Sequence, residues 1–282
     1  MALAPLVDPN LARMRRLALL VIAVAFPTAL AAQTPSAPRA PDGVLIQFVR
    51  FADIFGGRLV TAFDSIPAAR YDYRPTPVQQ TIGYIAQHLE GANYGLCERL
   101  GDRKHPRTAK DSVADTLKAR WPKDTLIARL EASLRFCDDA IERLPTLDSP
   151  ALAATLLSFE TDLAEHYSQL AVYMRLLGIV PPSALPPVRR TPIDLPAAAL
   201  MPYVGVYELA PGFELEVSVR DGALSARSNA GGGAVRLSPE SSARFFADEA
   251  DAQVDFVRDA SGAVTGLILH QFGRERPARK IR

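Results

Sequence analysis

A single change of hydrophobic period divides this sequence. Up to Gly178 the apolar residues recur at steps of three and four, the spacing of one helix face, whereas beyond a run of prolines they alternate at every second position, as on a strand. A chain that switches period once is neither all-helical nor all-strand. Its 282 residues are enough for two domains that each bury a core. The expected fold class is therefore α+β with two domains, a helical bundle followed by a small antiparallel β-barrel-like domain.

Four strong helices are predicted in the first half. The first covers residues 44–63, with Asp42 as N-cap and Asp64-Ser65-Ile66-Pro67 as its close. The second starts at the capping box Thr76-Pro77-Val78-Gln79 or at Thr81, carries Ile82, Ile85, Leu89, Ala92 and Leu96 on one face, and ends at Gly101. After a polar stretch with a short helix near residues 113–120, the third starts near Asp124 and buries Ile127, Leu130, Leu134, Cys137, Ile141 and Leu144. The fourth runs from Ser149-Pro150 to Gly178, and its stripe (Leu156, Phe159, Leu163, His166, Leu170, Tyr173) contains a histidine. Asp162 lies one turn before His166 on the same face, while Glu165 points about 100° away.

Prolines 181, 182, 186, 187, 192 and 196 predict a stiff linker. Beyond it, Phe213, Leu215, Val217 and Val219 alternate with Glu214, Glu216 and Ser218, and Asp221-Gly222 is a two-residue hairpin turn into residues 223–226. Further strands are expected over residues 203–209, 234–237, 244–247, 253–258 and 264–271. Gly231-Gly232-Gly233 sits in a hairpin context and reads as a turn. His270 is expected on a strand face, and His105, beside Lys104 and Arg107, in solvent.

The N-terminus has the form of an export signal. Arg13, Arg15 and Arg16 precede the apolar run 17–26, Pro27 and the small-residue site Ala29-Leu30-Ala31, with Met14 an alternative start. Cleavage after Ala31 would remove three Arg and one Asp from totals of 32 Lys plus Arg and 31 Asp plus Glu. The remainder is close to neutral, with interspersed charges that offer nucleic acid no basic face. The expected location is secreted or periplasmic, with no membrane span after signal removal. In such an oxidising compartment Cys97 and Cys137, the two cysteines of the chain, are expected to pair across helices two and three. The expected domain order is signal peptide 1–31, flexible lead-in 32–42, bundle 43–187, Pro-rich linker 188–200 and β domain 201–282.

Gln87-His88-Leu89 on helix two and His166-Tyr167-Ser168-Gln169-Leu170 running into Gly178-Ile179-Val180-Pro181-Pro182 together resemble the DinB/YfiT-like superfamily. That resemblance implies an up-down-down-up four-helix bundle and a divalent metal held by one helix-two histidine and two residues four apart on the last helix. Carried over, these are His88, His166 and Asp162, the last standing where the family has a third histidine. Two imidazoles and a carboxylate on facing helices suit one divalent ion such as Zn, Ni or Fe and leave a coordination position open. Without an ion, His166 would be a core histidine hydrogen-bonded to Asp162 or Tyr84. Some members are thiol-dependent transferases or isomerases, but an exported chain would meet little low-molecular-weight thiol. Tyr203-Val204-Gly205-Val206-Tyr207, Pro211-Gly212-Phe213 and Gly266-Leu267-Ile268-Leu269 resemble a lipocalin-like domain of unassigned chemistry that follows β-lactamase-like serine hydrolases. The Ser-x-x-Lys motif of those hydrolases is missing from this sequence, as are phosphate-binding glycine loops, His-Glu-x-x-His and Cys-x-x-Cys.

Three functions fit these features: an exported ligand- or metal-binding accessory protein, a metal-dependent hydrolase or transferase, and a metal-free structural or interaction protein. Partners on any of the three are a small molecule or a protein.

Overall fold

The computed structural model describes residues 43–282 except 102, 187, 248 and 250. The signal peptide, the lead-in and the Asp42 cap lie outside the described residues. Five α-helices come first: α1 (Gly43–Ser65), α2 (Ile82–Cys97), the short α3 (Asp115–Lys118), α4 (Lys123–Glu142) and α5 (Pro150–Leu176). Helix two begins at the second of its two candidate starts. Thr81 caps it by accepting from the Tyr84 amide, while Thr76 and Gln79 close an isolated turn in which the Gln79 amide donates to the Thr76 carbonyl. The far end of α2 tightens into a 3-10 turn, Glu98–Leu100, before Gly101. Helix α5 ends as Gly178 allows: at φ 75° its amide donates to Arg175, and that of Ile179 to Met174, the paired bonds of a Schellman motif.

Residue pairs fix the directions of the four long helices. Asn93 meets Ser133 and Cys97 meets Cys137, so α2 and α4 run parallel. Tyr173 near the end of α5 donates to the Gln80 carbonyl before α2, so those two are antiparallel. Lys123 at the start of α4 reaches Asp64 at the end of α1, which makes that pair antiparallel too. The order is up-down-down-up. Most of the predicted stripes enter the core, with Ile85, Leu89, Leu130, Ile141, Phe159, Leu163 and Leu170 at 0% exposure beside Leu59 and Phe63 of α1, while Ile127 and Leu144 are only partly buried. At about 25 cal/mol per Å² of apolar surface removed from water, such side chains contribute roughly 1.5–3 kcal/mol each.

The β half is a closed antiparallel barrel in which consecutive strands pair and β1 meets β8. Its strands are β1 (Gly205–Ala210), β2 (Phe213–Arg220), β3 (Ala223–Ser228), β4 (Val235–Pro239), β5 (Arg244–Ala247), β6 (Ala252–Arg258), β7 (Val264–Gln271) and β8 (Arg274–Lys280). The register pairs Val217 with Ala226, Val254 with Leu269 and Leu267 with Ala278, so these side chains share the inner face. Closure matters because it leaves no unpaired strand edge. The Asp221-Gly222 turn has the two positive φ angles, 49° and 74°, that its sequence predicts. The eighth strand was not expected from the sequence. Arg274-Glu275-Arg276-Pro277-Ala278-Arg279-Lys280 has little strand propensity, and pairing with β7 and β1 on either side overrides it. The proline-rich segment is also tied down, since Ile193 donates to the Pro239 carbonyl and residues Ala197–Tyr203 form a 3-10 helix.

Bundle and barrel meet through β8 and the turn before it. Arg276 forks onto Asp53 of α1 at 2.8 and 3.0 Å and also reaches Glu142 of α4. Arg274 contacts Asp53 at 3.1 Å and Asp138 of α4. The turn itself lies on the backbone of α1. A Cβ on Gly57 would stand 1.8 Å from the Phe272 carbonyl oxygen, and Gly273, at φ 75°, faces Thr61.

Two stability predictions come from these contacts. In native, unreduced protein no thiol should react with an alkylating agent, and replacing Cys97 and Cys137 by serine should lower unfolding stability in urea by roughly 2–4 kcal/mol for a loop of about 40 residues. Free thiols in the native protein would contradict it. Gly57→Ala should cost about 1–3 kcal/mol by overpacking. Gly95→Ala in α2, where a Cβ meets nothing within 4 Å, should instead stabilise by about 0.5–1 kcal/mol.

Candidate metal centre

Helix α5 presents His166 inward because the spacing Leu163, His166, Leu170 keeps that position on the apolar stripe; the residue is 9% exposed. Asp162 sits one turn earlier and His88 comes from the antiparallel α2. The structure brings the three together, with one ligand atom from each lying within 4.8 Å of the others. Among the described residues this is the one such group of His, Cys, Asp or Glu. His88 Nε2 is 3.5 Å from Asp162 Oδ1, His166 Nδ1 is 3.4 Å from the same oxygen, and the imidazole centroids are 4.7 Å apart.

The hydrogen bonds set the roles of individual atoms. His166 Nδ1 lies 2.9 Å from the Asp162 main-chain carbonyl. A carbonyl only accepts, so Nδ1 carries the proton and Nε2 keeps the ring's free lone pair, the state in which an imidazole coordinates. The second carboxylate oxygen, Asp162 Oδ2, is buried and has no hydrogen-bond partner among the described residues. An unmatched buried acceptor costs about 1–3 kcal/mol, so this oxygen calls for a cation or donor. The donor set of two imidazoles and a carboxylate thus fits a divalent ion.

His88 is the solvent-facing member, with 36% of its side chain exposed. Tyr84, one turn earlier on α2, stacks on it at 6.5 Å and 9°. Below it, Gln87 is buried and, with its amide oriented to satisfy both groups, bridges the Asp115 carboxylate and the His88 amide. The hydrogen bond to Asp162 holds the His88 imidazole above its ordinary value of 6.5, against the opposing effect of burial, and the negative charges of Asp162 and Asp115 add to the rise.

The remaining candidates lie elsewhere. Glu165 is exposed. His105 accepts from the Arg107 amide and lies 3.3 Å from Glu98, so it is partnered where the sequence suggested plain solvation. His270 occupies an outer strand face between Asp255 at 3.0 Å and Glu275 at 3.4 Å. The cysteines form the disulfide. Sequence reasoning passed over Asp115 and Gln87 beneath His88, and also Glu160. That last carboxyl is buried without a partner and is pushed up to about 8 by burial and by the charges of Asp138 and Asp53. The visible signal for Glu160 was an acidic residue two positions from Asp162 on the most apolar-striped helix.

Fold and site define an α-helical bundle with a His/Asp/His cluster between antiparallel helices, joined to a closed barrel. Residues 55–172 match the profile of the DinB superfamily and residues 189–279 that of a domain of unknown function, DUF3471. The bundle thus matches the DinB superfamily and the barrel matches DUF3471. No curated protein matches the sequence. Two chains of solved structure match it. One, a crystal structure of SurE with D-Leu, is similar over 43% of this chain and 28% of that chain, at 23% identity and a TM-score of 0.29. A likeness of that size carries no argument.

The raised His88 value has a testable sign. In metal-free protein kept in chelator, His88 contributes stability that is fully present below pH 6.5 and is lost as pH rises through its elevated folded value. The stability difference between wild type and His88→Gln, followed by thermal melts across pH, should therefore be largest in mild acid and shrink towards neutral and alkaline pH. A difference that grows with pH in chelator would show that the Asp162 contact does not form.

Proposed function

We propose that the chain is an exported binding protein whose bundle holds one divalent ion, Zn, Ni or Fe, through His88, Asp162 and His166. The observation that carries this reading is the approach of His88 and His166 to the Asp162 carboxylate, whose second oxygen is buried with no hydrogen-bond partner among the described residues. The match of residues 55–172 to the DinB superfamily supports it. Export is supported by the basic and apolar N-terminal run and by the disulfide, which suits an oxidising compartment. Among the described residues no helix is long and apolar enough to cross a membrane.

The exposure of His88 favours a second reading, metal-assisted hydrolysis or group transfer, because a site with three protein ligands and one solvent-facing edge is reachable by a small molecule. When bound, a divalent ion supplies Lewis acidity there. The residues of this chain orient and hold: the Asp162 carbonyl fixes the His166 tautomer, and Tyr84 stacks on the His88 ring.

Elemental analysis of purified, untagged protein should find about one divalent ion per chain, and His166→Ala should lose it. At a free ion concentration of about 100 times Kd, the ion should stabilise wild type by about 2.7 kcal/mol. The same ion should leave His166→Ala unchanged. Equal, negligible metal in both proteins with identical responses to chelator would make the cluster a structural hydrogen-bond network and remove the centre on which the enzyme reading depends.

A further inference from the structure

The barrel is filled at one end only. There Tyr203, Tyr207, Phe245 and Phe256 interlock, with centroid separations from 4.5 to 5.7 Å, and the Tyr207 hydroxyl donates to the Tyr203 carbonyl. At the opposite end the inward side chains are smaller. Leu215, Ala226, Val235, Val254 and Leu269 surround a cavity of about 290 Å³, near the lower end of the range of roughly 300–1,000 Å³ for small-molecule sites. Helix α1 and the Gly231-Gly232-Gly233 loop complete its wall, and Gln47 of α1 holds that loop side by donating to the Ala230 carbonyl at 2.8 Å.

The rim carries Arg50, Asp53, Arg274 and Arg276. Arg274 and Arg276 face the cavity, but both are engaged by Asp53, Asp138 and Glu142. Arg50 also lines it. Its guanidinium donates to Gln47 at 3.1 Å and, among the described residues, makes no ion pair. A largely apolar chamber with an arginine at its mouth that makes no ion pair among the described residues is complementary to a chain-like molecule with one negative end.

We propose that the barrel cavity binds a small amphiphilic carboxylate, its hydrocarbon part among the β-strand side chains and its carboxylate at Arg50. The site is separate from the His88 cluster and does not depend on a metal there. The apolar part gains from burial at about 0.8 kcal/mol per CH₂, and Arg274 and Arg276 are already engaged by the helix carboxylates. Arg50 supplies the discrimination between an anion and a neutral chain of the same length.

Decanoate and decanol, titrated calorimetrically into the full chain, separate the two contributions. Decanoate should bind once per chain, Arg50→Ala should weaken it by about tenfold, and decanol should bind both proteins equally and more weakly than decanoate binds wild type. Ala226→Phe, which fills the chamber from β3, should abolish binding of both. Should that variant fail to fold, Ala252→Leu on β6 fills the same space. Absence of decanoate binding to wild type, equal affinity of decanoate for wild type and Arg50→Ala, or undiminished binding to a folded cavity-filled variant would each overturn the proposal.

Discussion

The pairing of two β8 arginines with three helix carboxylates is the interaction on which the joined structure depends. Arg274 and Arg276 alternate with Glu275 along β8, so both project to one face of the strand. Asp53 comes from α1, and Asp138 and Glu142 lie one turn apart on α4. Burial raises the Asp138 and Glu142 carboxyls, and the opposing pull of Arg274 and Arg276 on Asp138 and of Arg276 on Glu142 only partly offsets it. Desolvating such groups is expensive, so the pairing is close to neutral as a source of stability, while the loss of either side would leave buried charge uncompensated. Its effect is specificity. This placement of the barrel brings all five groups together, and it also sets the Phe272-Gly273 turn against Gly57 and Thr61.

The same arrangement governs the bundle. Helix α4 is held on one side by the disulfide and the Asn93–Ser133 hydrogen bond to α2, and on the other by Arg274 and Arg276. Helix α2 therefore has a fixed position relative to α1 and the barrel. Its own N-terminal half, capped at Thr81 and bound at Gln80 by Tyr173 of α5, carries His88 to the place where α5 presents Asp162 and His166. A cluster built on the interiors of long helices is positioned more tightly than one on loops.

What the sequence made legible follows from which interactions have a period. Helix stripes and the alternation of β2 are hydrophobic patterns, and they located the core, His166 and the Asp221-Gly222 turn. Helix two was ambiguous because Thr76 and Thr81 both cap well, and the hydrogen bond of Tyr173 to the Gln80 carbonyl favours the second. Strand β8 was illegible because two of its inward residues, Arg274 and Arg276, are arginines whose partners lie more than a hundred positions away. His105 was misjudged for a related reason: its partner Glu98 belongs to a 3-10 turn that no periodicity announces. The approach of His88 to Asp162 and His166 was implied by family resemblance, and the antiparallel packing of α2 on α5 supplies its physical basis.

Two carboxylates on α5 show why only one of them is a candidate ligand. Glu160 and Asp162 are two residues apart, which separates them by about 200° around the helix. Glu160 turns towards α1, beside Phe48, Phe51 and Phe55, where burial and the charges of Asp138 and Asp53 push it up to about 8. At neutral pH it is mainly protonated, and a neutral carboxyl is a poor ligand. Asp162 turns towards α2, where the nearest groups are two imidazoles. Residue type alone does not distinguish the two positions, but the helical period and the partner helix do. That difference in surroundings places the anionic oxygen of α5 on the side of the bundle where His88 and His166 can share a cation with it.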